Sequence, residues 1–286
     1  MKKSFSYIAF VIFFVSTSTF AQEDSKIAEK YTAHNKGKIT FSWGGNREKF
    51  TKSDIHFQGD DYDFTLYDVD AQDKPKGWHI DYINPGRLTI PQTNFNIGYY
   101  INDHYHISIG VDHMKYVMTQ DQVARIGGVI SSNYPDYAGV YTNKGVNSID
   151  LTDGKFLKFE HTNGLNYVYA AVARVDDFSK YFGITNTDKI QINLTEGVGL
   201  GFLLPRTDAT LLEKQRHDEF HVAGFGLDVR AGLNFTFFKH YFIQTDLKGG
   251  YIDMPDIQTT ISGSDSASQH FFYIQTILSV GGIFKL

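Results

Sequence analysis

Residues Ala223 to Phe237 alternate without a break. Ala223, Phe225, Leu227, Val229, Ala231, Leu233, Phe235 and Phe237 are apolar, and between them stand Gly224, Gly226, Asp228, Arg230, Gly232, Asn234 and Thr236. A β-strand sends successive side chains to opposite faces. This segment therefore has one oily face and one face of glycine, amide and charge. A strand in a soluble sheet is about five or six residues long and hides its oily face on a second sheet. A run about three times that length needs a different solvent for its apolar side.

The pattern recurs along the chain. Phe95, Ile97, Tyr99 and Ile101 share one parity, as do Tyr105, Ile107, Ile109 and Val111. Ile190, Ile192, Leu194, Val198, Leu200, Phe202 and Leu204 form another such row, and so do Tyr241, Ile243, Leu247 and Tyr251. Phe272, Ile274, Leu278, Val280 and Phe284 repeat it near the C-terminus, and Ile39, Phe41 and Trp43 open a first strand. A weaker segment carries Leu165, Tyr167, Tyr169, Ala171, Ala173 and Val175, which by the same rule face outward and turn Arg174 inward. Lipid satisfies no backbone hydrogen bond, so a sheet that crosses it must close on itself. Long strands with one apolar and one polar face are the mark of a transmembrane β-barrel.

Eight strands are expected, near residues 38–50, 94–102, 105–118, 164–177, 189–204, 220–238, 241–255 and 269–286. The fold class that follows is an all-β, closed antiparallel transmembrane barrel. Connections alternate between short ones and the long segments 51–93, 119–163, 205–219 and 256–268, which predicts short periplasmic turns and long extracellular loops. Pro75, Pro85, Pro91, Pro135, Pro205 and Pro255 all fall in or beside the long segments, as expected of a residue that cannot donate to a ladder. Aromatics gather at both predicted interfaces: Tyr99, Tyr105, Phe178, Tyr181, Phe238, Phe242 and Phe284 on one side, and Trp43, Phe202, Phe220, Phe271 and Phe272 on the other. Tyr62 to Val69 reads as a strand in the first loop, and Asp153-Gly154 as a hairpin turn between 146–152 and 155–161. If such hairpins joined the wall, the count would rise to ten or twelve.

The N-terminus fits this destination. Lys2 and Lys3 precede the apolar run Ile8 to Val15, and Thr19 and Ala21 are small residues at the positions a signal peptidase reads. Residues 1–21 are expected to be a signal peptide cut between Ala21 and Gln22. A short periplasmic segment, 22–37, then leads into the barrel, 38–286. Without Lys2 and Lys3 the chain holds 25 basic and 32 acidic residues, a formal charge of −7, which argues against nucleic-acid binding. The absence of cysteine excludes disulfides, thiolate metal ligands and a thiol nucleophile. No cofactor is expected.

With its leader, alternating strands and terminal Phe284-Lys285-Leu286, the chain resembles small bacterial outer-membrane barrels of the OmpA, OmpX and opacity-protein type. The resemblance implies an outer-membrane location, contact with its lipid and lipopolysaccharide, and recognition by the barrel assembly machinery. Members of that group end in an aromatic residue, whereas here Phe284 lies two residues before Leu286.

The inward parity holds Glu48, Asp112, Arg174, Asp228, Arg230, Asp246 and Lys248. Charges of both signs in a barrel this narrow predict a salt-bridged plug rather than an ion path. Glu196 is the exception in its row, on the lipid-facing parity, and a β-bulge at Glu196-Gly197 would turn it inward. Glu160-His161-Thr162-Asn163-Gly164 is similar to the His-x-Ser-Asn-Gly/Ala segment of lipid A deacylase barrels, one residue short and with Thr162 for serine. That likeness implies a His-Ser-Glu triad on the outer wall. A hairpin turning near residue 183 instead sets Glu196 opposite about residue 170, about 30 Å from His161. His217-Asp218-Glu219-Phe220-His221 lacks the helix a zinc site of this spacing needs. Asp60, Asp61, Asp63, Asp68, Asp70 and Asp73 lack the order of a calcium loop and read as a solvated, mobile segment. The expectation is a non-enzymatic surface protein that meets an extracellular ligand through 51–93 and 119–163. A lipid-modifying hydrolase and a narrow pore are the alternatives.

Overall fold

The computed structural model describes residues 30–77, 79–83, 91–142 and 146–285. The expected leader, the Ala21-Gln22 cleavage point, Pro85 and Leu286 lie outside the described residues. Seventeen strands follow one another in these residues. The first are β1 (Lys38–Phe50), β2 (Ser53–Gly59), β3 (Tyr62–Val69), β4 (Ala71–Gln72), β5 (Thr93–Tyr100) and β6 (Tyr105–Met114). Then come β7 (Val117–Met118), β8 (Val123–Ile130), β9 (Gly139–Tyr141), β10 (Asn147–Asp150), β11 (Leu157–Glu160) and β12 (Leu165–Asp177). The last are β13 (Ile190–Pro205), β14 (Asp208–Leu211), β15 (Gly224–Phe237), β16 (Tyr241–Gln258) and β17 (Ser266–Lys285).

Eight of them pair antiparallel in the order β1-β5-β6-β12-β13-β15-β16-β17, and β17 pairs β1 from Lys38↔Lys285 to Phe50↔Tyr273. The ring has no free edge. Outward residues such as Ile109 and Val229 are 63% and 62% exposed, whereas Asp112 and Lys248 on the inner face are fully buried. An exposed apolar belt around a polar interior is the arrangement of a transmembrane barrel of the outer-membrane type. The extra hairpins do not join this wall, so the count stays at eight.

They build a cap instead. Above Phe50 the chain of β1 leaves the wall, and β2 takes its place beside β17, pairing Ile55–Gln58 with Gln269–Ser266. The sheet continues through β3 and β8, with β9 and β10 both on the far side of β8. A second sheet runs β14-β11-β7-β4. The two sheets meet through buried aromatics: Phe57 packs edge-on against Phe159 at 5.6 Å, and Phe64 meets Phe156 at 5.4 Å. Such contacts hold a core as they would in a soluble domain. The strand Tyr62–Val69 forms a hairpin with β2. The turn at Asp153-Gly154 does not close a hairpin, because β10 pairs β8 in one sheet and β11 pairs β14 in the other. Buried Leu151 and Phe156 flank the turn, so core packing rather than cross-strand bonding sets its path.

Pro205 ends β13, and Pro255 sits in the register shift of β16 between Met254 and Ile257. Phe242 and Phe271, expected in the girdles, are buried on the inward parity. Below the barrel, residues 30–37 cross the periplasmic mouth. A 3-10 turn at Tyr31–Ala33 places the Thr32 hydroxyl 2.8 Å from Asp188, and Tyr31 packs on His240 at 4.8 Å. On the opposite turn Asp103 accepts the Asn35 amide at 2.8 Å, the Lys36 amide at 3.0 Å and the His34 ring at 2.8 Å. The Lys36 and His34 bonds hold the Asp103 carboxyl at about 2, below the usual range.

Candidate functional site

The middle of the lumen is filled by charge. Lys248 on β16 pairs with Asp112 on β6, and neither is exposed. The ammonium also stands 4.5 Å from the ring of Tyr169 and 5.7 Å from that of Tyr167. Arg230 binds Asp228 at 2.7 Å, and its guanidinium lies 4.5 Å over Tyr169. The Tyr167 hydroxyl donates to Asp228 at 3.0 Å. Asn94 donates to Asp112 at 2.6 Å, and Asn46 to Asn94 at 2.8 Å. Nearer the outer end, Glu48 accepts from Gln92 and, at 2.9 Å, from Gln275, while Gln92 also donates to Asp73. Asp246 accepts twice from Gln244, at 2.9 and 3.0 Å. A cavity of about 90 Å³ of mixed lining, with Thr40, His106, Arg230 and Asp246 beside Val175 and Phe242, lies toward the periplasmic side.

Arg174 is not part of this network. In the middle of β12, Ala170, Val172 and Arg174 are exposed, whereas Tyr167, Tyr169 and Ala171 are buried toward the lumen. The strand is inverted relative to its apparent apolar row because the tyrosines go inside. Their hydroxyls and ring faces serve Asp228, Arg230 and Lys248, and glycines make room for them. A Cβ on Gly226 would stand 2.9 Å from the Tyr167 ring, and one on Gly110 2.5 Å from the Tyr169 hydroxyl. Arg174 faces outward and grips Asp176 at 2.6 and 3.2 Å. Glu196 lies directly opposite Arg174 in an unbroken register, so no bulge turns it inward.

The cap absorbs the remaining motifs. His161 is fully buried between Tyr116 and Phe159, with Nδ1 3.1 Å from the Thr207 hydroxyl and Nε2 unpaired. Burial lowers its pKa to about 3. Thr162 donates to Glu160 at 2.8 Å. Glu196 is nine residues down the strand pair from Leu165↔Pro205, about 30 Å away, and opposite residue 174 rather than 170. His161, Thr162 and Glu196 therefore form no triad. His221 pairs with Asp256 at 2.9 Å in an extended segment. The acidic run is ordered and dispersed: Asp63 pairs with His56 and Asp70 with Lys52, both at 2.8 Å, Asp68 pairs with Arg125, and Asp73 enters the lumen network.

On the outer face of β3, β8 and β9 the cap presents a mixed patch. Val129 and Val140 are cross-strand partners and both exposed, Val123 extends the row, and Arg125 lies 5.9 Å over the half-buried Tyr67 ring. The parity of loop strands that sequence did not delimit gave no view of this patch.

No family model matches the chain, and no curated protein matches it. Among solved structures it is similar to the outer membrane protein OprG of Pseudomonas aeruginosa, at 9% identity over 89% of this chain and 99% of that one, TM-score 0.38. It is similar to Ail, the attachment invasion locus protein of Yersinia pestis, at 10% identity over 87% and 99%, TM-score 0.30. Neisserial surface protein A aligns at 8% identity over 84% and 96%, TM-score 0.29.

Proposed function

We propose that the protein is a non-conducting, non-enzymatic outer-membrane barrel whose role is carried by its folded extracellular cap, as a surface for contact with a partner outside the cell. The observation behind this is the cap's own two-sheet core, on which β2, β3 and β4 of segment 51–77 and β8 and β9 of segment 119–142 are built. A rigid surface loses little conformational entropy when it binds. Tyr67 and Arg125 are of the residue types that dominate protein contacts, and Val129 and Val140 add exposed apolar area beside them. The paired lumen charges and the separation of His161 from Glu196 support the same reading over a pore or a hydrolase.

Cells displaying the intact protein should be retained on a mucin-coated surface, or aggregate with one another, more than cells lacking it. Val129→Asp with Val140→Asp should remove the difference while leaving the heat-shifted folded band on gels. Equal retention and aggregation of cells with and without the protein would overturn the proposal, as would lipid A that changes its acylation when the protein is present.

A further inference from the structure

On the outward face of β12 and β13 two charged residues interrupt the apolar rows on the periplasmic side. Cross-strand rows on β6, β12, β13 and β15 read Ile109-Ala170-Leu200-Leu227, then Ile107-Val172-Val198-Val229, then Tyr105-Arg174-Glu196-Ala231. The first two rows are apolar. The third places a guanidinium and a carboxylate on adjacent strands, both facing out of the barrel. Tyr105 follows the short turn 101–104 directly, which puts this row at the level of the periplasmic leaflet.

Two features of the row point outside the chain. Glu196 is exposed on the wall and makes no ion pair or side-chain hydrogen bond with a described residue. Apolar Val198 and Leu200 lie above it, and Leu194 and Ile192 continue its face below. A carboxylate held against hydrocarbon requires a cation. Arg174, directly opposite, turns to Asp176 instead, which accepts from its Nε and Nη2. A guanidinium has five N–H donors; Asp176 takes two and the Tyr105 hydroxyl a third, so two remain for an acceptor from the membrane.

Directly above the row, about 7 Å along the strands, is an apolar groove of about 810 Å³. Small Ala170 forms part of its floor, between the bulkier Ile109 and Leu200, and Ile97, Ile107, Val198 and Leu227 line it further. An anion-binding group and a cation-binding group side by side at the foot of an apolar groove match one kind of membrane molecule. We propose that Arg174 and Glu196 form a headgroup site for a zwitterionic aminophospholipid of the periplasmic leaflet, its phosphate on Arg174, its ammonium on Glu196 and an acyl chain in the groove. The site stands apart from the cap and does not depend on the cap's role.

The test is native mass spectrometry of the folded full chain, released from mixed vesicles of phosphatidylethanolamine, phosphatidylcholine and phosphatidylglycerol in equal amounts. Phosphatidylethanolamine should be retained about fivefold over each of the others, as charge-assisted hydrogen bonds from a primary ammonium require. Glu196→Gln should abolish the preference over phosphatidylglycerol, and Arg174→Gln should lower retention of all three. Equal retention of the three lipids by the unaltered protein would overturn the site, as would an unchanged preference in Glu196→Gln. A dimer that replaces bound lipid would assign the face to a second copy instead. The headgroup comparison on the unaltered protein decides even if Arg174→Gln fails to give the folded band.

Discussion

At the scale of the residue, the lumen shows why opposite charges are tolerated in a buried space. Lys248 and Asp112 are both fully buried and each is further bonded, to the Tyr169 and Tyr167 faces and to Asn94. Removing one member should cost far more than the pair contributes. Asp112→Asn leaves the Lys248 ammonium buried without a counter-charge, and a loss of about 3–5 kcal/mol is expected. Asp112→Asn with Lys248→Met should recover most of it. Urea unfolding in lipid vesicles measures both, and a double variant as unstable as the single one would show that the pair is not the unit. Gly250 and Tyr273 show the complementary device. They face each other across β16 and β17, and a Cβ on Gly250 would stand 2.4 Å from the Tyr273 ring. Gly110, Gly226 and Gly250 thus mark where tyrosines fold into the lumen.

At the scale of the element, the wall strands were legible because their two faces meet different solvents. β15, β16 and β17 alternate without ambiguity, and their expected ranges differ from the structure by a few residues at the outer ends. β12 misled because Tyr167 and Tyr169 count as apolar in a parity argument yet spend their hydroxyls and ring faces on buried charge. Arg174 was misplaced with them. The cap was only half legible, since its strands are short and bury one face in a core assembled from four separate loops. His161 belongs to that core, and its burial has a sign. The unfolded chain takes up a proton near the ordinary histidine value of about 6.5, and the folded one only near 3. Stability is therefore intact above about 6.5 and falls as pH drops below it, by about 1.4 kcal/mol per unit. Protease cutting within the cap should rise between pH 7 and pH 5. His161→Phe, which keeps the aromatic contacts with Tyr116 and Phe159, should flatten that dependence; an equally steep response in the variant would assign it to another group.

At the scale of the whole molecule, the bore is obstructed at three levels by three different parts of the chain. The cap closes the outer end with a packed core, the Lys248-Asp112 and Arg230-Asp228 pairs fill the middle, and residues 30–37 bridge turns on opposite sides of the periplasmic mouth. An eight-stranded ring is just wide enough for its own side chains, so the middle level suffices by itself. In planar bilayers the protein should therefore show no discrete open levels. A variant lacking 30–37 should be equally silent, because the mid-lumen pairs remain. Reproducible open levels in the intact protein would mean that these side chains swing aside, and the barrel would then have to be read as a gated pore. Open levels only in the shortened chain would place the seal at the periplasmic mouth. Silence in both would leave the cap as the part of the molecule free to act on the outside, since the bore beneath it leads nowhere.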